Sequence, residues 1–147
     1  RTVPDDTFGD RQRYDVLLVP GGQGSRPGME NQTLLNWLRE QSERAEVISS
    51  VCTGSALLAG AGVLDGRSAT SNKLAWDWVV AQGPNVNWVR EARWVEDGNI
   101  FTSSGVSAGT DMSLALIEKL IGRDAMETIA NRAEYVRNGD ANHDPFA

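Results

Sequence analysis

Along the chain, short apolar runs alternate with longer stretches in which hydrophobic residues recur at helical spacing. The run YDVLLV at 14–19 is rich in β-branched residues and leucine and ends at a proline and glycines, which is typical of a buried strand that enters a loop. Three leucines then recur at helical spacing within 31–45, and residues 46–51 return to a strand pattern. This part of the chain predicts a strand, a helix and a second strand.

The same alternation continues along the rest of the chain. The further predicted elements are a helix over 53–62, a strand over 67–70, a helix over 73–81 capped by Asn72, a hairpin of 93–96 and 100–103, and helices over 107–121 and 124–137. Alternating strands and helices imply an α/β fold with a mostly parallel sheet and helices on both faces. We expect one domain over 1–147, with a polar C-terminal tail over 139–147.

Composition and charge narrow the classes of partner. The chain has 147 residues, 40% of them hydrophobic, and a formal net charge of −6 at pH 7. The acidic balance argues against nucleic acid and against an anionic membrane surface as partners. No apolar run approaches the length of a membrane span, and one cysteine cannot form an internal disulfide. We therefore expect a soluble, cytoplasmic domain.

The single cysteine, Cys52, stands where the strand over 46–51 gives way at once to the helix over 53–62. A residue at such a turn points its side chain into the crevice above the carboxyl end of the sheet, where α/β folds bind ligands. The free N–H groups at the start of the helix favour thiolate over thiol. Cys52 is therefore our candidate nucleophile. The alternative is a buried core cysteine, because free cysteine is among the most buried residue types.

Backbone N–H groups near this turn are candidate donors to a developing anion. The glycine-rich loop that follows the strand over 14–19 ends at the same sheet edge, so Gly22 and Thr53 are the predicted donors. Gly21 and Gly54 are possible pocket residues beside them. The alternative for the loop is a plain turn without a ligand.

No acid or base stands out as a partner for the thiolate. The only histidine, His143, lies in the polar tail and is expected to be solvated, which argues against a cysteine–histidine dyad. Asp111 lies in the first turn of a predicted helix whose entry is rich in small residues, and it is a possible pocket residue. Its alternative role is a favourable charge at a helix N-terminus. Neither a cofactor nor a metal site is expected.

Three long motifs resemble the ThiJ/PfpI superfamily, a relative of class I glutamine amidotransferases. They are VLLVPGGQGSRPG, SVCTGSALLAGAGVLDGRSATSNK and EARWVEDGNIFTSSGVSAGTDMSLALIEKLIG, in that order. The threonine after the cysteine, ATSNK and ARWVEDGNIFTSSGVSAG are most similar to the isonitrile (isocyanide) hydratase branch and its regulator relatives. The resemblance implies a flavodoxin-like three-layer sandwich with a nucleophile-elbow cysteine. It also implies a homodimer that acts on a small molecule without metal or organic cofactor.

The resemblance also implies roles for individual residues. It assigns the nucleophile to Cys52 and the oxyanion-side donors to Gly22 and Thr53. In the hydratases a thiolate attacks the isocyanide carbon, a carboxylic acid protonates it to a thioimidate, and water releases the N-substituted formamide. The family carries that acid in an N-terminal strand and helix that precede anything matching Arg1. The expected function is therefore cysteine-dependent hydration of a small electrophile by an N-terminally truncated family domain. The alternative is a non-catalytic or redox- or ligand-sensing domain, either a fragment or a naturally short relative.

Overall fold

Strands and helices alternate along the chain as the hydrophobic pattern predicts. The computed structural model describes residues 3–9 and 13–147. Its strands are β1 Val16–Val19, β2 Val47–Val51, β3 Ser68–Ala69, β4 Asn87–Trp88, β5 Trp94–Asp97 and β6 Ile100–Ser103. Its helices are α1 Ser25–Gly28, α2 Gln32–Ser42, α3 Gly54–Gly60, α4 Trp76–Val80, α5 Val106–Leu120 and α6 Arg123–Arg132.

Four of the strands form one sheet in the order β1-β2-β6-β5. β1 and β6 both pair with β2 in parallel, whereas β5 pairs with β6 in antiparallel. Gly98, with φ at +65°, supplies the left-handed residue of the predicted hairpin. β3 and β4 pair separately in a short parallel ladder. The predicted mostly parallel sheet is confirmed.

The sheet lies between two layers of helices. Neighbouring residues of a strand point to opposite faces, so Ile48 packs with leucines of α2 and α3, while Val47 packs with Phe101 and Met112. The three-layer α/β sandwich is confirmed. β1 lies at one end of the sheet, and its Leu18 side chain is 52% exposed. No described residue pairs with the outer edge of this strand.

Three helices are shorter than predicted, although α3 differs by only one or two residues at each end. α6 ends at Arg132 instead of continuing to 137, because Glu134 adopts a left-handed conformation with φ at +50° that stops the helix. The predicted helix over 73–81 begins only at Trp76, since Asn72 accepts a hydrogen bond from the Ala75 amide and caps a turn instead. The short helix α1 lies inside the glycine-rich loop, where no helix was predicted. No helix in the described ranges has the length and apolar character needed to cross a membrane.

The polar tail over 139–147 packs against the domain. The Ala141 carbonyl accepts a hydrogen bond from the Arg93 amide at 2.8 Å, and the Asp144 amide donates to the Glu91 carbonyl at 2.8 Å. The Asp144 residue is only 3% exposed, and its carboxylate lies 3.4 Å from the Lys73 ammonium. The tail is therefore polar, as predicted, but an ion pair holds it in the structure.

Candidate functional site

Cys52 occupies the turn between β2 and α3 in a conformation that ordinary residues avoid. Its φ is +58°, in the left-handed region, which costs a non-glycine residue about 1–2 kcal/mol. The surrounding chain holds it there: the Cys52 amide donates to the Ser103 carbonyl, and the Cys52 carbonyl accepts from the hydroxyls of Ser55 and Ser71. The residue is partly exposed. A strained residue held by several contacts at a strand-to-helix turn has the geometry of a nucleophile elbow.

Two glycines let the loop after β1 lie directly against this turn. A Cβ atom on Gly54 would stand 2.1 Å from the Val19 carbonyl oxygen, and one on Gly21 would stand 2.6 Å from the Thr53 amide nitrogen. Any side chain at either position would collide with backbone. Gly21 and Gly54, the possible pocket residues, are therefore packing positions at the elbow and are not among the residues that line the cavity above Cys52.

A cavity of about 350 Å³ opens above the cysteine. Its lining comes from the loop after β1, from α1, from the elbow and from the segment that leads into α4. The lining residues are Gly22, Gln23, Arg26, Cys52, Thr53, Asn72, Leu74, Ala75 and Trp78. The cavity has the size of a small-molecule site, and its polar groups are a guanidinium, two amides and a hydroxyl. Cys52, Gly22 and Thr53 lie together in its lining.

The two predicted backbone donors differ in availability. The Gly22 amide donates to the Thr53 hydroxyl oxygen at 2.9 Å, so its N–H already has a partner. The same hydroxyl lies 2.9 Å from the Ser25 hydroxyl. The Thr53 amide stands at the start of α3 and finds no acceptor among the described residues. The Thr53 N–H, on the residue after Cys52, is therefore without an acceptor among the described residues, whereas the Gly22 N–H is already bonded to the Thr53 hydroxyl.

Asp111, the other possible pocket residue, does not line the cavity above Cys52. It is fully buried in α5, and its carboxylate accepts two hydrogen bonds from the Arg93 guanidinium at 2.6 and 2.8 Å. The Tyr135 hydroxyl and the Asn138 amide donate to its other oxygen. Burial, together with the neighbouring carboxylate, raises the pKa of Tyr135. Asp111 thus links α5 to Arg93, which precedes the helix, and to Tyr135 and Asn138, which follow α6. His143 is exposed and does not line the cavity.

Sequence analysis missed the charged and aromatic part of the site. Arg26 reaches the cavity from α1, and Asn72 and Trp78 reach it from the other side. Nearby, the Lys73 ammonium donates to the Thr70 hydroxyl and to two carbonyls, and burial lowers its pKa while Asp144 partly offsets that effect. The only sequence signal was the position of Arg26 inside the glycine-rich loop. The described part of the chain contains no cluster of ligands that could hold a metal ion.

A larger cavity of about 790 Å³ lies beside the first and shares Asn72 and Leu74 with it. The start of α5, Tyr135 and Phe146 of the tail form its other walls. Leu74 is 98% exposed and stands between the two cavities. A substrate at Cys52 therefore has room to extend on this side.

Comparison with known proteins places these features in a family. The model of the DJ-1/PfpI family matches residues 1–119. Among curated proteins, the isonitrile hydratase of Pseudomonas putida is 39% identical over 132 residues, which cover 90% of this chain and 57% of that protein. The protein dj-1beta of Drosophila melanogaster is 30% identical over 131 residues, covering 87% of this chain and 68% of that protein.

A regulator and a solved structure complete the comparison. The HTH-type transcriptional regulator GbdR of Pseudomonas aeruginosa is 31% identical over 138 residues, covering 92% of this chain and 36% of the regulator. The crystal structure of a ThiJ/PfpI family protein from Pseudomonas syringae superposes with a TM-score of 0.83 at 34% identity, covering 93% of this chain and 56% of that one. The chain thus spans little more than half the length of the hydratase and of this structure.

Proposed function

Because the chain belongs to the DJ-1/PfpI family, we propose that Cys52 is a nucleophile that hydrates a small isocyanide to the N-substituted formamide. The observation that carries the proposal is the left-handed Cys52 at the elbow, with a cavity of about 350 Å³ above it. The similarity to the Pseudomonas putida isonitrile hydratase supports the choice of substrate. Cys52 and Thr53 are the residues to which we assign the chemistry.

The proposed reaction has two stages. In the first, the Cys52 sulfur forms a bond to the terminal isocyanide carbon, and a proton added to that carbon gives a thioimidate. In the second, water adds to the same carbon, the carbon–sulfur bond breaks, and the thiolate leaves as the nitrogen takes a proton. The sum is one isocyanide plus one water giving one formamide. We assign to the Thr53 amide, whose N–H has no acceptor among the described residues, a hydrogen bond to the negative charge that develops during attack by the sulfur.

The proton for the first stage has no obvious donor in the cavity. None of its lining residues is a carboxylic acid or a histidine. A positioned general acid typically contributes about 10²–10⁴-fold in rate. We therefore propose that an acid from solution supplies this proton and that turnover is slow.

The test follows formamide production from an alkyl or aryl isocyanide. We expect slow turnover that rises with the concentration of added acetic acid at constant pH, because the solution acid replaces the missing donor. Cys52→Ala should abolish turnover, with Cys52→Ser as the variant closest in shape. Circular dichroism and the unfolding midpoint confirm that each variant is folded. Folded wild-type chain that forms no formamide even with added acid would overturn the proposal, as would a Cys52→Ala variant that keeps its activity.

A second candidate function is sensing, which the match to the regulator GbdR favours. A partly exposed thiol that is the only cysteine of the chain suits reversible oxidation to sulfenic acid. Dilute peroxide followed by a sulfenic-acid trap should then label Cys52 in the folded chain but not after unfolding. Equal labelling of folded and unfolded chain would argue against sensing, because the site would add nothing to the thiol's own reactivity.

The family resemblance also leads us to propose a homodimer in a reducing compartment such as the cytoplasm. Light scattering during gel filtration tests the first part directly. A mass of two chains is the expected result, and a mass of one chain over the whole concentration range would contradict it.

A further inference from the structure

A third, smaller cavity of about 170 Å³ adjoins the cavity above Cys52. The two share four residues, Arg26, Leu74, Ala75 and Trp78, so one molecule can occupy both. The remaining walls of the smaller cavity are Lys73, Trp76, Asp77 and Arg90. Its character differs from that of the larger cavities because it is lined by three cationic side chains and one carboxylate.

Two of these cations have no anionic partner. The Arg26 guanidinium lies 4.3 Å from the centre of the Trp78 ring, and the Arg90 guanidinium lies 5.4 Å from the centre of the Trp76 ring. Neither side chain forms an ion pair or a hydrogen bond with any residue in the described ranges. Stacking on an indole fixes a guanidinium without using its N–H donors. Both arginines therefore keep their donors free for a ligand.

The local charge is opposite to that of the whole chain. The chain carries a formal net charge of −6, yet this cavity has an excess of positive groups. The third cation, Lys73, is already paired with Asp144 and makes hydrogen bonds to its own surroundings. Asp77 is the one carboxylate in the lining, and it forms no ion pair with described residues. The positive charges of Arg26 and Arg90 therefore exceed the negative charge beside them. Such a cavity attracts an anion.

We propose that Arg26 and Arg90 hold a carboxylate group on the molecule that reacts at Cys52. The substrate class is then a small electrophile that carries a carboxylate, with its reactive carbon at the thiol and its anionic end between the two guanidiniums. This inference rests on the proposed role of Cys52 as a nucleophile. Arginine suits the task because its planar fork of N–H donors matches the two oxygens of a carboxylate.

Two alkylating reagents test the anion site without any need for hydration. Iodoacetate and iodoacetamide react in the same way: the thiolate sulfur bonds to the methylene carbon, the carbon–iodine bond breaks and iodide leaves. Only iodoacetate carries a carboxylate. The rate constant of iodoacetate at Cys52 is divided by that of iodoacetamide, and this quotient is divided by the same quotient for free glutathione. The result, the corrected ratio, measures the preference for an anion. We expect a corrected ratio well above one that falls as salt is added, because salt screens exposed charges.

Variants assign the preference to its residues. Arg26→Met and Arg90→Met should each lower the corrected ratio by about tenfold, because each removes one guanidinium that donates hydrogen bonds to the carboxylate. Arg132→Met is the control, because Arg132 is exposed on α6 and forms no ion pair with described residues. It should leave the ratio unchanged. A wild-type ratio near that of glutathione, or a ratio that neither cavity variant lowers, would overturn the proposal.

Hydration of two isocyanides separates this proposal from the one on which it rests. Isocyanoacetate should be hydrated with a higher kcat/KM than its methyl ester, and the preference should disappear in Arg26→Met. Hydration of both at equal rates would keep the hydratase and refute the anion site. If neither compound is hydrated, the hydratase proposal fails, and the alkylation ratio still decides whether the anion site exists.

Discussion

Replacing Asp111 with alanine should lower the free energy of unfolding by about 3–5 kcal/mol, which is the typical loss when one partner of a buried ion pair is removed. The structure explains why the upper part of that range applies. The Asp111 side chain is fully buried, and the Arg93 side chain left behind is only 8% exposed. Two further donors, the Tyr135 hydroxyl and the Asn138 amide, lose their acceptor at the same time.

Chemical denaturation measures the effect. Small domains are stable by about 5–15 kcal/mol, so the variant should remain folded in buffer but unfold at a much lower denaturant concentration. Asp65→Ala is the control, because Asp65 is exposed and its loss should change stability by no more than about 0.5 kcal/mol. Iodoacetamide should alkylate Cys52 in the folded variant as fast as in the wild type.

Two results would refute this account of Asp111. An unfolding free energy close to that of the control would mean that the buried ion pair is not structural. A stable variant that loses reaction at Cys52 would return Asp111 to the site, contrary to its position in the structure.

Three further predictions concern the elbow and the tail. Gly54→Ala should destabilise the chain by more than about 1 kcal/mol, because the added Cβ meets backbone; thermal unfolding checks it, and an unchanged midpoint would contradict the packing. The free energy of unfolding of Cys52→Gly should exceed that of Cys52→Ala by about 1 kcal/mol, since glycine adopts a positive φ freely. Equal unfolding free energies in chemical denaturation would mean that the backbone at Cys52 is not strained. Burial opposes ionisation of Asp144, but the Ser104 hydroxyl, the Phe146 amide and the Lys73 charge outweigh it and hold the pKa of Asp144 below its usual 3.8. The stabilisation that Asp144 provides is therefore full above pH 3.8 and is lost as pH falls through the lower folded-state value. The stability gap between wild type and Asp144→Asn should narrow in that acidic range, and a gap independent of pH would contradict the ion pair.

The elbow was predictable because its signals are local. A strand pattern, a cysteine and a helix pattern follow one another without a loop, and that order alone puts Cys52 at the carboxyl end of the sheet. Small residues around the turn signalled a close approach of backbone. The role of Gly21 and Gly54 as packing positions at the elbow was not predictable, because it depends on where the loop after β1 lies.

The charged part of the site was not predictable, because it depends on contacts between distant segments. Arg26 and Arg90 lie far apart in the chain, and only the packing of α1 and the 72–78 segment brings them to one cavity. The tail gave the same difficulty. Its composition predicts a solvated segment, whereas backbone hydrogen bonds and a buried ion pair between Asp144 and Lys73 dock it. The end of α6 was also misplaced, because apolar spacing continues past the left-handed Glu134.

The central claim is that Cys52 forms a covalent thioimidate, and mass spectrometry of the chain mixed with an isocyanide tests it most directly. We predict that the peptide containing Cys52 gains the mass of one isocyanide and that the adduct decays as formamide appears. Cys52→Ala should show neither signal. Absence of both adduct and formamide in wild-type chain whose Cys52 is still alkylated by iodoacetamide would contradict the claim, because the thiol would be available and yet unreactive toward the proposed substrate.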